Sequence, residues 1–103
     1  MLQIIIIHGP DDSVCISEVK DLETMTSLAT YDESKNCIDL SCLEPHINET
    51  ILVTHFKRHS TREDCTINYN YTNCGCAKLD YEQERTLIDV GTDENGFMYL
   101  EYN

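Results

Sequence analysis

The stretch "RTLIDVGTDENGFMYLEY", residues 85–102, holds the strongest local fold signal of the chain. Two runs rich in β-branched and aromatic residues flank a polar turn that contains the step Asn95-Gly96. Both residues of this step tolerate positive φ, which the tightest β-hairpin turns require. The pattern therefore predicts a β-hairpin over these residues.

Three further stretches have the composition of strands. In "TINYNY", residues 66–71, apolar and polar residues alternate as in a half-buried strand, and "ILVTHF", residues 51–56, is expected to pair with it. "LQIIII", residues 2–7, predicts a first strand that is covered or bonded into a sheet, because such a segment would aggregate if left unpaired. We expect a small, mostly-β, disulfide-rich domain of antiparallel strands and hairpins, with room for one short helix.

Residues 16–31 leave two structures open. Apolar residues recur there at every third position, namely Ile16, Val19, Leu22, Met25, Leu28 and Tyr31. On an α-helix such a row drifts by about 60° per step and leaves one face after about three members. An extended hairpin is therefore favoured over a short helix across residues 17–25.

The cysteines are six in number, an even count, and high for a chain of 103 residues. Structural zinc sites use cysteine pairs spaced by two to four residues, and thioredoxin-like redox motifs place two residues between their cysteines. Cys74 and Cys76 have only Gly75 between them, and a bond joining the two would be strained. We therefore predict three disulfides. We predict no metal site, because His55 and His59 would lie too far apart on a strand to bind one zinc ion.

The spacing of the cysteines favours one connectivity among those that six cysteines permit. Joining the close pair Cys37 and Cys42 to the doublet Cys74 and Cys76 clamps two strands together and leaves Cys15 for Cys65. The favoured bridges are Cys15–Cys65, Cys37–Cys74 and Cys42–Cys76. We expect one domain over residues 1–103, with a disulfide framework from Cys15 to Cys76 and an acidic C-terminal hairpin segment over residues 77–103.

Disulfides imply an oxidising compartment, so we expect a secreted, extracellular protein. The N-terminal residues lack the features of a signal peptide, so this interpretation requires that a signal has been removed and that Met1 is not the natural start. The alternative is a cytosolic protein that begins at Met1. Glycosylation sequons at Asn48 and Asn70 favour secretion.

The charge is strongly negative, with 19 Asp and Glu against 7 Lys and Arg and a formal net charge of −12. Such a surface repels nucleic acid and anionic lipid, and no apolar run is long enough to span a membrane. From Asp80 onward there are seven acids and a single cation, Arg85. We expect an acidic surface directed at a basic protein partner, against the alternative of a merely solvated acidic face.

No catalytic motif is present. The sequence contains neither a phosphate-binding glycine loop nor a G-x-S-x-G or H-E-x-x-H motif, and paired cysteines leave no thiolate for catalysis. We therefore expect a protein that is not an enzyme and has no cofactor. The segment after Cys76 combines acids with aromatic anchors, and the predicted partner-binding residues are Asp80, Tyr81, Glu82, Glu84, Phe97, Tyr99, Glu101 and Tyr102.

The order of the cysteines from Cys15 to Cys76 resembles that of single-domain von Willebrand factor type C modules. Cys15, Cys37 and Cys42 match best, whereas that family has an adjacent Cys-Cys where this chain has Cys74-Gly-Cys76, and it usually has eight or more cysteines. Truncated, acidic modules of this kind are similar to small salivary proteins of blood-feeding arthropods, some of which bind complement components, chemokines or clotting proteases.

The resemblance implies a monomeric inhibitor or scavenger of a larger host extracellular protein, acting by surface occupation. The alternative is a cystine-knot-like cytokine or growth factor, a dimeric receptor ligand, because the Cys74-Gly-Cys76 ending also fits that family. Against it, the stretch from Cys37 to Cys42 lacks that family's central glycine and is one residue too long.

Overall fold

The computed structural model describes residues 1–9, 14–58 and 77–103. They form one open, curled sheet of six strands in the order β3-β2-β1-β4-β5-β6. The strands are β1 (Leu2–His8), β2 (Val14–Asp21), β3 (Thr26–Thr30), β4 (Thr50–Arg58), β5 (Ala77–Thr92) and β6 (Met98–Tyr102). A short 3₁₀ helix covers Ser41–His46. The prediction of a mostly-β fold is confirmed, and in the described ranges no helix is long and apolar enough to cross a bilayer.

Strands β1 and β4 form the centre of the sheet and run parallel to each other. One face of β1 buries Leu2, Ile4 and Ile6, and we call this the inner face of the sheet; Ile5 and Ile7, on the outer face, are half-buried. Isoleucine on both faces suits a central strand, because β-branched side chains pack well on a pleated surface. The expectation of antiparallel strands is wrong for this central pair, whereas the other four pairs are antiparallel.

The segment between β3 and β4 supplies the second layer of the fold. Its residues Ile38, Leu40 and Leu43 are buried against the inner face, together with Ile4 and Val53. A sheet that is apolar on one face must bury that face against another element. Here the covering element is an irregular segment with one short 3₁₀ helix, and the sheet curls around it.

Residues 16–31 form the extended hairpin of β2 and β3, as predicted. A β-bulge in the pairing of β1 with β2 places Ile16 opposite Ile6 and Val19 opposite Ile4. Because a bulge inserts one extra residue, two apolar residues three positions apart both reach the inner face. Met25 lies in the turn with φ +57° and is 65% exposed. The apolar residues at every third position of 16–31 therefore do not share one structural environment.

Strands β5 and β6 form the predicted C-terminal hairpin. Asp93 Oδ1 accepts hydrogen bonds from the backbone N–H groups of Asn95 (2.9 Å) and Phe97 (3.0 Å). The backbone N–H of Asp93 donates to the carbonyl of Phe97 at 2.8 Å, so the turn is longer than two residues. Gly96 takes φ +86°, while Asn95 keeps a negative φ.

The structure describes three cysteines, Cys15, Cys37 and Cys42. Each is half-buried, and no disulfide joins any two of them. Their predicted partners Cys65, Cys74 and Cys76 lie outside the described residues, as do the predicted strand over residues 66–71 and the sequon at Asn70. The three predicted bridges therefore remain a prediction.

Candidate protein-binding surface

The outer face of the β5–β6 hairpin is strongly acidic. Antiparallel register pairs Glu82 with Thr54, Glu84 with Leu52, and Asp89 with Glu101. Leu87 lies buried on the inner face. A bulge at Ile88 shifts the alternation of side chains by one residue, so that Asp89 lies on the outer face with the other three carboxylates. All four acids are exposed. We call Glu82, Glu84, Asp89 and Glu101 the acidic face.

The acidic face has no ion pair with a cation among the residues that the structure describes. Arg85 lies on the same strand, but its position between Glu84 and Thr86 places it on the inner face, where Nη2 donates to Gln83 Oε1 at 2.5 Å. Uncompensated exposed carboxylates add to one another's field instead of cancelling. The acidic face is therefore available for a basic partner.

Tyr99 lies on the same outer face and is held against the backbone of Gly91. The two residues are register partners, and a Cβ atom added at Gly91 would lie 2.6 Å from Tyr99 Oη. Glycine thus allows the tyrosine ring to lie flat across β5. Tyr99 remains 41% exposed, so it presents a rigid aromatic surface beside the carboxylates.

Glu82 is anchored by a chain of hydrogen bonds that crosses the sheet. Gln3 Nε2 donates to Thr54 Oγ1 at 2.9 Å, and Thr54 Oγ1 donates to Glu82 Oε2 at 2.7 Å. Thr54 is almost completely buried at 2% exposure, so its hydroxyl needs both partners. The carboxylate of Glu82 is therefore positioned by the central strands, while most of its charge faces solvent.

The structure does not bring all of the predicted partner-binding residues to one surface. Tyr81 is the register partner of His55 and stacks on its ring, with centroids 4.2 Å apart and an interplanar angle of 17°. Tyr102 pairs with Leu87 and so also lies towards the inner side. Asp80 is exposed at a bulge between the two faces. The predicted set thus divides between two faces of the sheet.

Phe97 lies beside a groove where the two edges of the curled sheet approach each other. This seam groove has a volume of about 330 Å³ and is lined by residues from β3, the segment after it and the β5–β6 hairpin, among them Thr30, Asp32, Ile38, Asp39, Gly96 and Met98. An adjoining hollow of about 250 Å³ shares Ile38 and Met98 and includes Phe97 and Val14. Phe97 and Val14 are 42% and 60% exposed, so both present apolar surface at the rim.

Two aspartates of the seam groove are fixed by local turns. Ser34 donates to Asp32 Oδ1 from its hydroxyl (2.6 Å) and its backbone N–H (2.9 Å), and the pKa of Asp32 is lowered mainly by the hydroxyl bond. The backbone N–H of Ser41 donates to Asp39 Oδ1 at 3.0 Å and is the main cause of the lowered pKa of Asp39. Both groove carboxylates therefore stay ionised in mildly acidic solution.

Ser34→Ala is expected to raise the pKa of Asp32, because it removes the hydrogen bond that lowers this pKa most. A carboxyl with a depressed folded pKa stabilises the fold above its unfolded pKa and loses that contribution as the pH falls through the folded value. In the variant, the stabilising contribution of Asp32 should therefore be lost at a higher pH than in the unmodified protein. Carboxyl ¹³C NMR titration measures the pKa directly. Ser41→Ala is the matched control, because Asp39 keeps its main backbone bond and should move less; an unchanged Asp32 titration in Ser34→Ala would contradict the assignment.

A pair of hydrogen-bonded histidines on the inner face was not foreseen from the sequence. His8 Nε2 and His55 Nδ1 lie 2.8 Å apart in a hydrogen bond, and the two rings lie edge to edge, with centroids 5.1 Å apart and an interplanar angle of 25°. His55 is buried at 5% exposure, and burial, followed by the charge of His8, lowers its pKa against the opposing effect of Asp80. Only the parallel pairing of β1 with β4 brings these histidines together, and no motif in the sequence indicates that pairing.

The sequon at Asn48 is sterically open. Asn48 is exposed at the junction between the 3₁₀ helix and β4, with φ +76°. Its backbone N–H donates to the carbonyl of Leu87 at 2.6 Å, so the backbone is held while the side chain faces solvent. The position is compatible with the predicted glycosylation.

Comparison with family models, with curated proteins and with solved structures finds no match for this chain. The function is therefore inferred from the geometry and charge of the surface.

Proposed function

We propose that the protein is a secreted protein-binding module that inhibits or sequesters a host extracellular protein by occupying its surface. The target classes are a complement component, a chemokine or a clotting protease, and the module acts as a monomer. The observation that carries the proposal is the acidic face: four exposed carboxylates on one side of a hairpin, without a compensating cation among the described residues.

The acidic face and the aromatic residues have separate roles in this proposal. Exposed charges of one sign steer a basic partner and speed its association. Buried aromatic anchors supply most of the affinity at protein interfaces. Tyr99 lies on the acidic face and Phe97 at the rim of the seam groove near the end of the same hairpin, so a partner can contact both while it faces the carboxylates.

The proposal predicts a slower association when the charge near the start of β5 is removed. The variant Asp80→Asn/Glu82→Gln/Glu84→Gln keeps the side-chain shapes, and the new amide at position 82 retains an oxygen that accepts from Thr54. At low ionic strength its association rate should fall by about tenfold, and the dependence of the rate on salt should weaken. The measurement is surface binding kinetics on immobilised plasma proteins that include a complement component, a basic chemokine and a clotting protease.

The matched control is Glu23→Gln/Glu33→Gln/Glu44→Gln, which changes the net charge equally at three exposed acids that lie outside strands β5 and β6. This control should associate at nearly the rate of the unmodified protein. If both triple variants slow association equally, only the total charge matters and the acidic face is no binding site. If no member of the panel binds the unmodified chain, the proposed target classes are wrong.

A further inference from the structure

Strand β6 is the last strand of the open sheet, and it pairs with β5 on one side only. At the start of β6 the N–H of Asp93 donates to the carbonyl of Phe97 at 2.8 Å, and at its end Thr86 and Asn103 exchange two backbone bonds of 2.9 and 3.3 Å. The bulge at Ile88 adds its extra residue to β5, so the alternation along β6 is unbroken. Because bonded and non-bonded residues alternate in an antiparallel pair, every second residue of β6 directs its N–H and C=O groups away from β5, namely Met98, Leu100 and Tyr102.

These outward backbone groups form an open strand edge. Within residues 1–9, 14–58 and 77–103 no backbone hydrogen bond uses them. An unpaired edge is a template for another extended chain, and natural sheets usually blunt it with proline, lysine or a bulge. Strand β6 contains neither proline nor lysine and has no bulge of its own. The edge therefore keeps the backbone geometry that an added strand requires.

Strand β3, at the other edge of the sheet, is protected. The register shift in its pairing with β2 is a bulge at Leu28. Directly after β3, Asp32 and Cys37 exchange backbone hydrogen bonds of 2.8 and 3.3 Å, so the chain itself covers this part of the edge. Of the two edges of the described sheet, β6 is thus the one open to a partner strand.

The side chains beside the β6 edge differ between the two faces. On the inner face Met98 and Leu100 are half-buried against the core and offer apolar surface to a neighbouring side chain. On the outer face Glu101 is exposed, and its register partner is Asp89. Side chains directly opposite each other on adjacent strands are about 5 Å apart, so opposite charges there attract. An added strand is therefore most stable with apolar residues on its inner side and Lys or Arg on its outer side.

The charge of the protein argues against a second copy of the chain as the added strand. Antiparallel pairing of two β6 strands about their central residue would place Tyr99 of one copy opposite Glu101 of the other and bring two acidic faces together. Each chain has a formal net charge of −12, and like charges side by side oppose association. The seam groove at the turn end of β6 is lined by Asp32 and Asp39 with one cation, Lys35, so it also favours a basic segment.

We propose that the open edge of β6 binds an extended, basic segment of the partner protein by adding it to the sheet as a further strand. Main-chain hydrogen bonds to Met98, Leu100 and Tyr102 supply affinity, and the alternation of apolar and basic side chains supplies selectivity. This binding mode rests on the proposed function, in which the β5–β6 hairpin faces a basic protein. It specifies backbone pairing at an edge in addition to charge attraction at a surface.

The test uses the whole chain and, as the probe, a short peptide of four alternating Val-Lys pairs, so it does not depend on the identity of the target. The peptide is expected to bind one to one. The same peptide with a methyl group on every backbone nitrogen keeps the side chains but cannot donate to a strand, and it should bind about tenfold more weakly or worse. A peptide of alternating Val-Glu pairs should not bind measurably. Calorimetric titration compares all three peptides.

Amide hydrogen exchange followed by NMR locates the added strand. The N–H groups of Leu100 and Tyr102 should exchange more slowly when the Val-Lys peptide is bound. The N–H of Thr30, at the edge of β3, is the internal control and should not change. Protection of Leu100 and Tyr102 without peptide, rising with protein concentration, would show that a second copy occupies the edge and would overturn the proposal.

Tyr102→Pro and Tyr102→Ala form a matched pair at this edge. Both remove the tyrosine ring, but only proline removes the outward N–H, which β5 does not use. Tyr102→Pro should bind the Val-Lys peptide about threefold to tenfold more weakly than Tyr102→Ala, and circular dichroism checks that both variants keep the fold. Absence of binding by the Val-Lys peptide, or equal binding by its methylated form, would overturn the proposal. Both results are obtained on the unmodified chain and leave the acidic face as a steering surface for a folded target, so the two proposals fail separately.

Discussion

Leu40→Ala is expected to lower the free energy of unfolding by about 3–5 kcal/mol. Leu40 is completely buried in the segment that covers the inner face, and its backbone N–H lies 3.3 Å from Met98 Sδ. The substitution removes buried methyl groups and leaves a cavity where the irregular segment joins the sheet. Because a domain of this size is usually stable by only about 5–15 kcal/mol, this loss is a large part of the total.

Chemical denaturation followed by circular dichroism measures this loss. The matched control is Leu28→Ala, which deletes the same atoms from edge strand β3, where Leu28 is 41% exposed. The control should cost less than about 1 kcal/mol. Equal losses in the two variants would show that the segment carrying Leu40 does not form the second layer of the fold.

Reduction is expected to unfold the protein. The three predicted bridges would each close a loop of more than about thirty residues and contribute about 3–4 kcal/mol apiece on the chain-entropy model. Together these contributions would rival the stability of an ordinary domain. Two of the described cysteines lie in ordered backbone structure. Cys37 pairs with Asp32 in an isolated β-bridge, and Cys42 lies in the 3₁₀ helix. Burial and the nearby Asp39 raise the pKa of a Cys42 thiol, so in the reduced form this residue is a poor thiolate.

Thiol titration of the protein in denaturant, without reductant, tests this expectation. Fewer than one reactive thiol per chain is expected, and peptide mapping should find Cys15–Cys65, Cys37–Cys74 and Cys42–Cys76. A thermal scan with and without reductant then gives the stability difference. Two or more titratable thiols would remove the argument for an oxidising compartment and favour the cytosolic alternative.

Much of the local structure follows from the sequence. Alternation and β-branched composition correctly predict strands at residues 2–7 and 51–56, and the step Asn95-Gly96 predicts the C-terminal hairpin. The preference for an extended hairpin over a short helix at residues 17–25 is also confirmed. The two-residue spacing of Glu82 and Glu84 is enough to place both on one face, because side chains alternate along a strand. These features depend on near neighbours in the chain.

The predicted site follows from the sequence only in part. The acids of β5 form a surface with Tyr99, but Tyr81 is engaged with His55 on the opposite face. The reason is a register that places Tyr81 opposite His55, with a bulge immediately beyond this pair. A shift by one residue moves a side chain to the other face of a sheet, and bulges of this kind are not visible in a composition or a spacing.

The sequence by itself determined that the chain is mostly β, that its last strands form a hairpin and that this hairpin is acidic. Only the tertiary structure decided that β1 lies parallel to β4, that an irregular segment covers the inner face, and that His8 meets His55. Strand formation reflects the local periodicity of side chains, which any short window contains. Which strands become neighbours depends on the burial gained between residues far apart in the chain. The free energy from burying the whole core must exceed the entropy cost of closing the loops between them.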